Sequence, residues 1–186
     1  MKWVTLFSRS GSEIYQLSKR LGRFPDLIIT NKHISLIDNI EVRLRHEYKG
    51  SWVFLPSKPT TSQYLTAINC CSHGLYEDYL ITLHGYLRII PGDVCFHYRD
   101  EMYNGHPGDI IKYPILKGAN PQEKAFNLKL PTSGSIIHKV TDELDSGEII
   151  AHKEVNIENL TLDNVYSTLH NNSIDLWYEF LKERLE

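Results

Sequence analysis

Residues 3–7 (WVTLF) form a mostly apolar run, residues 8–12 (SRSGS) a polar turn, and Ile14, Leu17 and Leu21 then recur at helical spacing within 13–21. Gly22 marks the end of that helix, and 26–30 (DLIIT) has the composition of a second strand. Strand, tight turn, helix and strand make a βαβ unit. It implies two parallel strands in one sheet joined by a right-handed crossover.

The pattern continues less cleanly. Residues 34–46 are compatible with helix or loop, 52–55 with a short strand, 56–61 with a loop and 63–71 with a helix. The apolar, β-rich run YLITL at 79–83 suits the centre of a sheet. A short fifth strand is expected at 101–104, followed by an irregular stretch, 105–118, that contains two prolines and three glycines. Pro121 opens a helix over 121–128. Strands are expected at 135–140 and 148–155; the seven residues between them (TDELDSG) are too few for a helical crossover, which makes that pair antiparallel. From residue 161 onward, Leu162, Val165, Tyr166, Leu169, Leu176, Trp177, Phe180 and Leu181 mark one long or broken helix. The expected fold is α/β: an open, mostly parallel Rossmann-like sheet with flanking helices and a C-terminal antiparallel extension. At ~100–200 residues per domain, residues 1–186 form a single domain.

Composition narrows the function. Hydrophobic residues make up 41% and charged residues 23%, which excludes a disordered or low-complexity chain. With 20 Lys+Arg against 23 Asp+Glu there is no basic excess to advertise a nucleic-acid surface. Cys70, Cys71 and Cys95 include no C-x-x-C pair, so they are expected to be reduced structural thiols. The N-terminal apolar run is too short for a signal peptide, and no stretch approaches the ~20 apolar residues of a membrane span. A soluble, cytoplasmic protein that engages neither membrane nor nucleic acid is expected.

In open parallel sheets, ligands bind beyond the carboxyl ends of the strands. Residues 8–13, 84–91 and 104–118 should converge there, with the 141–147 turn able to fold over them. Gly11, Ser12 and their neighbours at a helix start can present free N–H groups to an anion, although the same residues serve equally as an N-cap through Ser10 or Ser12. Glu13 suits the helix dipole but would repel a phosphate at that spot. Asn104 and His106, two residues apart on extended backbone, point the same way. An amide donor and an imidazole can then share one reacting group, unless the segment is simply a surface turn. A carboxylate from Asp142, Glu143 or Asp145 could orient His106, or the turn could be merely solvated. His138, alone on its strand, fits a satisfied structural histidine better than a ligand. The spacing of His106, His138 and Asp145 suggests no metal.

Four segments in register carry a resemblance that covers nearly the whole chain. They are Asn104-Gly105-His106-Pro107, residues 112–118 (KYPILKG), residues 135–150 (SIIHKVTDELDSGEII) and residues 83–90 (LHGYLRII), with the N-terminal strand–SGS–helix in addition. Together they resemble the folate-dependent formyltransferase family, and within it the glycinamide ribonucleotide branch. The resemblance implies formyl transfer from 10-formyltetrahydrofolate, as cosubstrate, to a small-molecule amine, without a metal, by a monomer or homodimer. It implies that Asn104 holds the formyl oxygen and that His106 stabilises the oxyanion and assists proton transfer. It also implies that Asp145 raises the pKa of His106 and orders a proton-relaying water. Leu87, Arg88, Ile89 and Ile90 would line the pterin pocket with Val140, Thr141 and Asp142, while Gly11, Ser12 and Glu13 would face the acceptor. The departures lie on the acceptor side. Gly108-Asp109-Ile110-Ile111 replaces the family's serine–leucine–leucine–proline, Glu13 an asparagine, Arg9 a glycine and Leu169 an acidic residue. Formyl transfer to an amine, hydrolysis of the same folate and non-catalytic folate or nucleotide binding are the functions to separate.

Overall fold

The computed structural model describes residues 1–70 and 78–186. A seven-stranded sheet runs through it, in the order β3-β2-β1-β4-β5-β6-β7. Its strands are β1 (Lys2–Phe7), β2 (Leu27–Thr30), β3 (Ser51–Phe54), β4 (Tyr79–Leu83), β5 (Met102–His106), β6 (Thr132–Lys139) and β7 (Ile149–Asn156). The first five are mutually parallel, β6 is antiparallel to β5, and β7 is antiparallel to β6. The mixed sheet expected from the run lengths is therefore the one formed.

Five α-helices lie between strands among the described residues and a sixth follows the last strand: α1 (Ser12–Leu21), α2 (Val42–Glu47), α3 (Thr61–Asn69), α4 (Gly92–His97), α5 (Pro121–Asn127) and α6 (Leu162–Leu185). The ambiguous 34–46 segment divides into a 3-10 turn, Ile34–Asn39, and α2. The helix expected over 63–71 is α3, held at its start by a Thr60–Gln63 capping box; Cys71 lies outside the described residues. Helix α4 has no counterpart in the sequence reading. It is six residues long with Val94 and Cys95 as its buried pair, too few positions to show a helical period. Strand β5 also runs two residues further than expected, to His106. From Thr161, whose hydroxyl accepts the Asn164 N–H, the chain forms one unbroken helix of 24 residues.

Each face of the sheet has its own core. On one, Val4, Leu6, Ile81, Leu83 and Met102 pack against Tyr64 and Ile68 of α3 and Val94 of α4. On the other, Trp3, Leu80, Tyr103 and Ile137 meet Leu17 of α1 and Trp177 and Phe180 of α6. Burying each such side chain contributes on the order of 2 kcal/mol. Alternation along β5 sends Met102, Asn104 and His106 to the first face, and Tyr103 and Gly105 to the second. Gly105 is small for a reason: a Cβ there would lie 2.4 Å from Trp177 Nε1. The close seat of α6 on β5 thus depends on the residue between the two candidate site residues.

Candidate active site

The chain leaves β1 for β2 and β3 and returns to β4 on the other side of β1, so the loops after β1 and β4 meet at the point where the strand order reverses. They are stitched together there by Ser8 N–H to the Gly85 carbonyl (3.3 Å) and Leu87 N–H to Ser8 Oγ (2.9 Å). One strand further, at the carboxyl end of β5, lies a polar cluster on the α4 side of the sheet.

The register of β5 with β6 places Asn104 opposite His138 and His106 opposite Ile136. His138 Nδ1 lies 2.8 Å from the Lys139 carbonyl, which can only accept, so Nδ1 carries a proton and Nε2 accepts from Asn104 Nδ2 at 3.1 Å. This fixes which way the Asn104 amide faces and leaves its second N–H and its oxygen for other partners. His106 is 4% exposed, and its Nε2 donates to the Leu116 carbonyl at 3.0 Å. Its Nδ1 lies 3.3 Å from Asp145 Oδ2, while Asp145 Oδ1 lies 3.6 Å from His138 Nε2. The 140–147 connection folds back over the sheet to deliver this carboxylate. Asp145 has a left-handed backbone (φ 48), a conformation with a cost of ~1–3 kcal/mol, and its Oδ2 accepts the Gly118 N–H at 3.0 Å. Lys117 and Ser146 form a second link between the same two segments.

Electrostatics set the resting protonation states. Burial alone would push the Asp145 carboxyl up; the neighbouring His138 and His106 imidazoles and the Gly118 N–H outweigh it and hold the group below the usual aspartate range. Burial pushes the His106 imidazole down, opposed only in part by Asp145 and the Leu116 carbonyl. The Asp145 charge opposes this fall, but desolvation is the larger effect and the imidazole stays below its ordinary value, not above it. Asp145 is thus held toward its carboxylate form and His106 toward its neutral form. With Nε2 committed to Leu116, Nδ1 is the nitrogen free to gain a proton, next to the anion that would stabilise the cation.

The other site residues are placed as follows. Val140, Thr141 and Asp142 line a cleft of about 760 Å³, closed on its other side by α4 residues such as Phe96. Ile90 and Val140 are part of the core beside it, Leu87 and Ile89 are exposed, and the Arg88 guanidinium bonds the Ser57 and Leu87 carbonyls. Gly11 caps α1 in a left-handed conformation (φ 74) without a side-chain bond, and Ser10 Oγ accepts the Ser12 N–H at 3.3 Å. Glu13 does not join that turn. Its carboxylate crosses to the α6 side of the sheet, where Oε2 meets His84 Nδ1 at 2.8 Å and Oε1 accepts the Ser173 hydroxyl at 2.7 Å. Leu169 is fully buried with Leu116, Ala125 and Val165. Two participants were not identifiable as such from residue type: His138, which joins Asn104 to Asp145, and the Leu116 carbonyl, which fixes the His106 tautomer.

Comparison with known proteins fits this arrangement. Residues 49–180 match the sequence model described as formyl transferase. The chain belongs to the formyl transferase family. It is 32% identical to a phosphoribosylglycinamide formyltransferase of Bacillus subtilis over 97 residues, 52% of this chain and 48% of that protein. It is 37% identical to a mitochondrial formyltetrahydrofolate deformylase 2 of Arabidopsis thaliana over 73 residues, 39% of this chain and 21% of that protein. The chain spans about half or less of the length of these curated relatives. Its fold is that of the crystal structure of phosphoribosylglycinamide formyltransferase from Bacillus halodurans, with a TM-score of 0.77 at 22% identity over 100% of this chain and 96% of that one. Among the described residues no group of three or more His, Cys, Asp or Glu side chains could hold a metal ion, and no helix is long and apolar enough to cross a membrane.

Proposed function

We propose that this protein transfers a formyl group from 10-formyltetrahydrofolate to a primary amine of a small phosphorylated or nucleotide-linked molecule. The observation that carries the reading is the convergence of Asn104, His106, His138 and Asp145 at the end of β5, with one imidazole nitrogen and one amide N–H uncommitted. The folate supplies the formyl carbon as an electrophile, and the cleft beside Val140, Thr141 and Asp142 is the place that would receive its ring. Attack by a neutral amine places negative charge on the formyl oxygen, where the spare Asn104 N–H would stabilise it. His106 Nδ1 takes the proton released by the attacking nitrogen, directly or through water, and returns it to the folate nitrogen as that group leaves. Asp145 stabilises the intervening imidazolium.

The acceptor end has its own character. Glu13 stands in the first turn of α1, but its carboxylate is held by His84 and Ser173 and not by the helix N–H groups that would suit a phosphate. Burial raises that carboxyl, but the His84 and Ser173 hydrogen bonds outweigh it and keep Glu13 ionised. The acceptor's phosphate, if it carries one, is therefore expected away from Glu13. The deformylase relative favours one second reading, hydrolysis of the same folate with water as acceptor. The test is consumption of 10-formyltetrahydrofolate, followed by absorbance, with and without candidate amines such as glycinamide ribonucleotide. Amine-dependent consumption supports transfer, amine-independent consumption supports the hydrolase, and binding without consumption contradicts both.

A further inference from the structure

Asp109, two residues beyond Pro107 in the loop after His106, is fully buried and has no part in the mechanism above. Its Oδ1 accepts the Lys112 N–H at 3.0 Å; its Oδ2 has no hydrogen-bond partner and lies 3.3 Å from His152 Nε2. A carboxylate oxygen removed from water requires a hydrogen-bond donor, and His152 Nε2, on a side chain 32% exposed, is the group positioned to provide one. His152 is in register with Ile136, and Ile136 with His106, so the three share one row across β5, β6 and β7 on the same face. A second tether holds the same loop: Lys112 Nζ bonds Thr132 Oγ1 at 2.9 Å and Glu154 Oε2 at 2.8 Å, both on that face. Between tether and imidazole stands Gly108. A Cβ there would lie 2.7 Å from Pro121 Cβ and 2.9 Å from His106 Nε2, so the loop backbone packs directly on the edge of the ring that donates to Leu116.

We propose that Asp109 and His152 are a positioning pair. They hold residues 107–112 against His106, which keeps its Nε2–H on the Leu116 carbonyl and leaves Nδ1 for proton exchange. The catalytic consequence rests on the function proposed above; the structural one does not. Three substitutions separate the possibilities. His152→Gln keeps a donor toward Asp109, His152→Leu removes it, and Lys153→Ala breaks the 2.8 Å Lys153–Glu179 pair on the opposite face of the same strand. Because leucine leaves a buried carboxylate oxygen without a donor and can cost stability, Asp109→Asn repeats the test with the size and the Oδ1 acceptor retained.

The direct readout is the histidine-ring ¹⁵N spectrum and the solvent exchange of His106 Nε2–H. Exchange about tenfold faster is expected in His152→Leu and Asp109→Asn, with kcat lowered about tenfold at nearly constant KM, as a shift of the ring away from its reacting partner would produce. His152→Gln and Lys153→Ala should match the wild type. Unchanged His106 signals and exchange in both His152→Leu and Asp109→Asn, whatever their melting temperatures, would overturn the proposal. If no variant and no wild-type sample transfers formyl groups, the function proposed above fails while the His106 exchange still decides this inference.

Discussion

Two carboxylate–imidazole clusters lie on opposite faces of the sheet, and only one is left chemically open. On the α6 face, Trp3 Nε1 donates to Thr82 Oγ1 (3.0 Å), the Thr82 hydroxyl to His84 Nε2 (3.0 Å), and His84 Nδ1 and the Ser173 hydroxyl to Glu13. Every donor in that chain meets an acceptor, and Trp177 closes over the imidazole at 4.7 Å between ring centroids. On the α4 face, Asp145 lies between His106 and His138, burial holds the His106 imidazole toward its neutral form, and one Asn104 N–H is unassigned. The same residue types make a cross-link in one place and the proposed reaction centre in the other. What differs is whether the network has a spare valence that an incoming group can use.

Substitutions can break this contrast, and the largest expected effect is on activity. His106→Ala should lower kcat by roughly 10³-fold, the usual worth of a positioned acid–base group. It should leave the melting temperature within a few degrees, as checked by steady-state kinetics and a thermal scan. Glu13→Ala should do the reverse. Loss of the carboxylate strands the His84 and Ser173 donors and should cost about 2–3 kcal/mol in denaturant titration, with kcat changed less than about tenfold. Gly105→Ala tests the wall between the clusters. Its methyl would collide with Trp177 Nε1 and should destabilise by about 1–3 kcal/mol. His138→Ala frees the Asn104 amide to turn and should lower kcat by about tenfold with KM nearly constant.

The smallest effect is a pH shift. In folded protein the carboxyls of Asp145 and Glu13 and the imidazole of His106 all sit below their ordinary values, so folding releases protons from each. The stability they contribute is complete above their ordinary values. It is lost as pH falls through the lowered ones, from just under the histidine range down into the carboxylate range. With His106 proposed as the neutral base, the acid limb of kcat assigned to it should lie below the ordinary histidine value, and His106→Ala should abolish that limb. A limb at or above that value in a pH–rate profile would contradict the resting state assigned here.

Much of this was legible in the chain. The apolar runs 3–7, 26–30 and 79–83 specified the parallel centre, and a seven-residue connection forced the antiparallel end. Asn104 and His106 stood out because a two-residue spacing on a strand shares a face. Helix α4 was hidden by its length, and β5 was cut short because Gly105 interrupts the apolar alternation, although that glycine is what seats Trp177. The role of His138 depended on register, since the strand period shows that it shares a face with Ile136 but not that Asn104 lies opposite. The inward turn of Glu13 was out of reach: its partners are 71 and 160 residues away, in residue types that carry no signal of each other.

The central claim is that the open cluster at the end of β5 moves the formyl group. A single-turnover experiment with 10-formyltetrahydrofolate carrying a labelled formyl carbon, on the wild type and His106→Ala with an acceptor amine, tests it most directly. Both proteins should bind the folate with similar affinity, and label should reach the amine in the wild type at least about 100-fold faster than in the variant. Equal rates of label transfer in the two proteins, at equal folate occupancy, would contradict it.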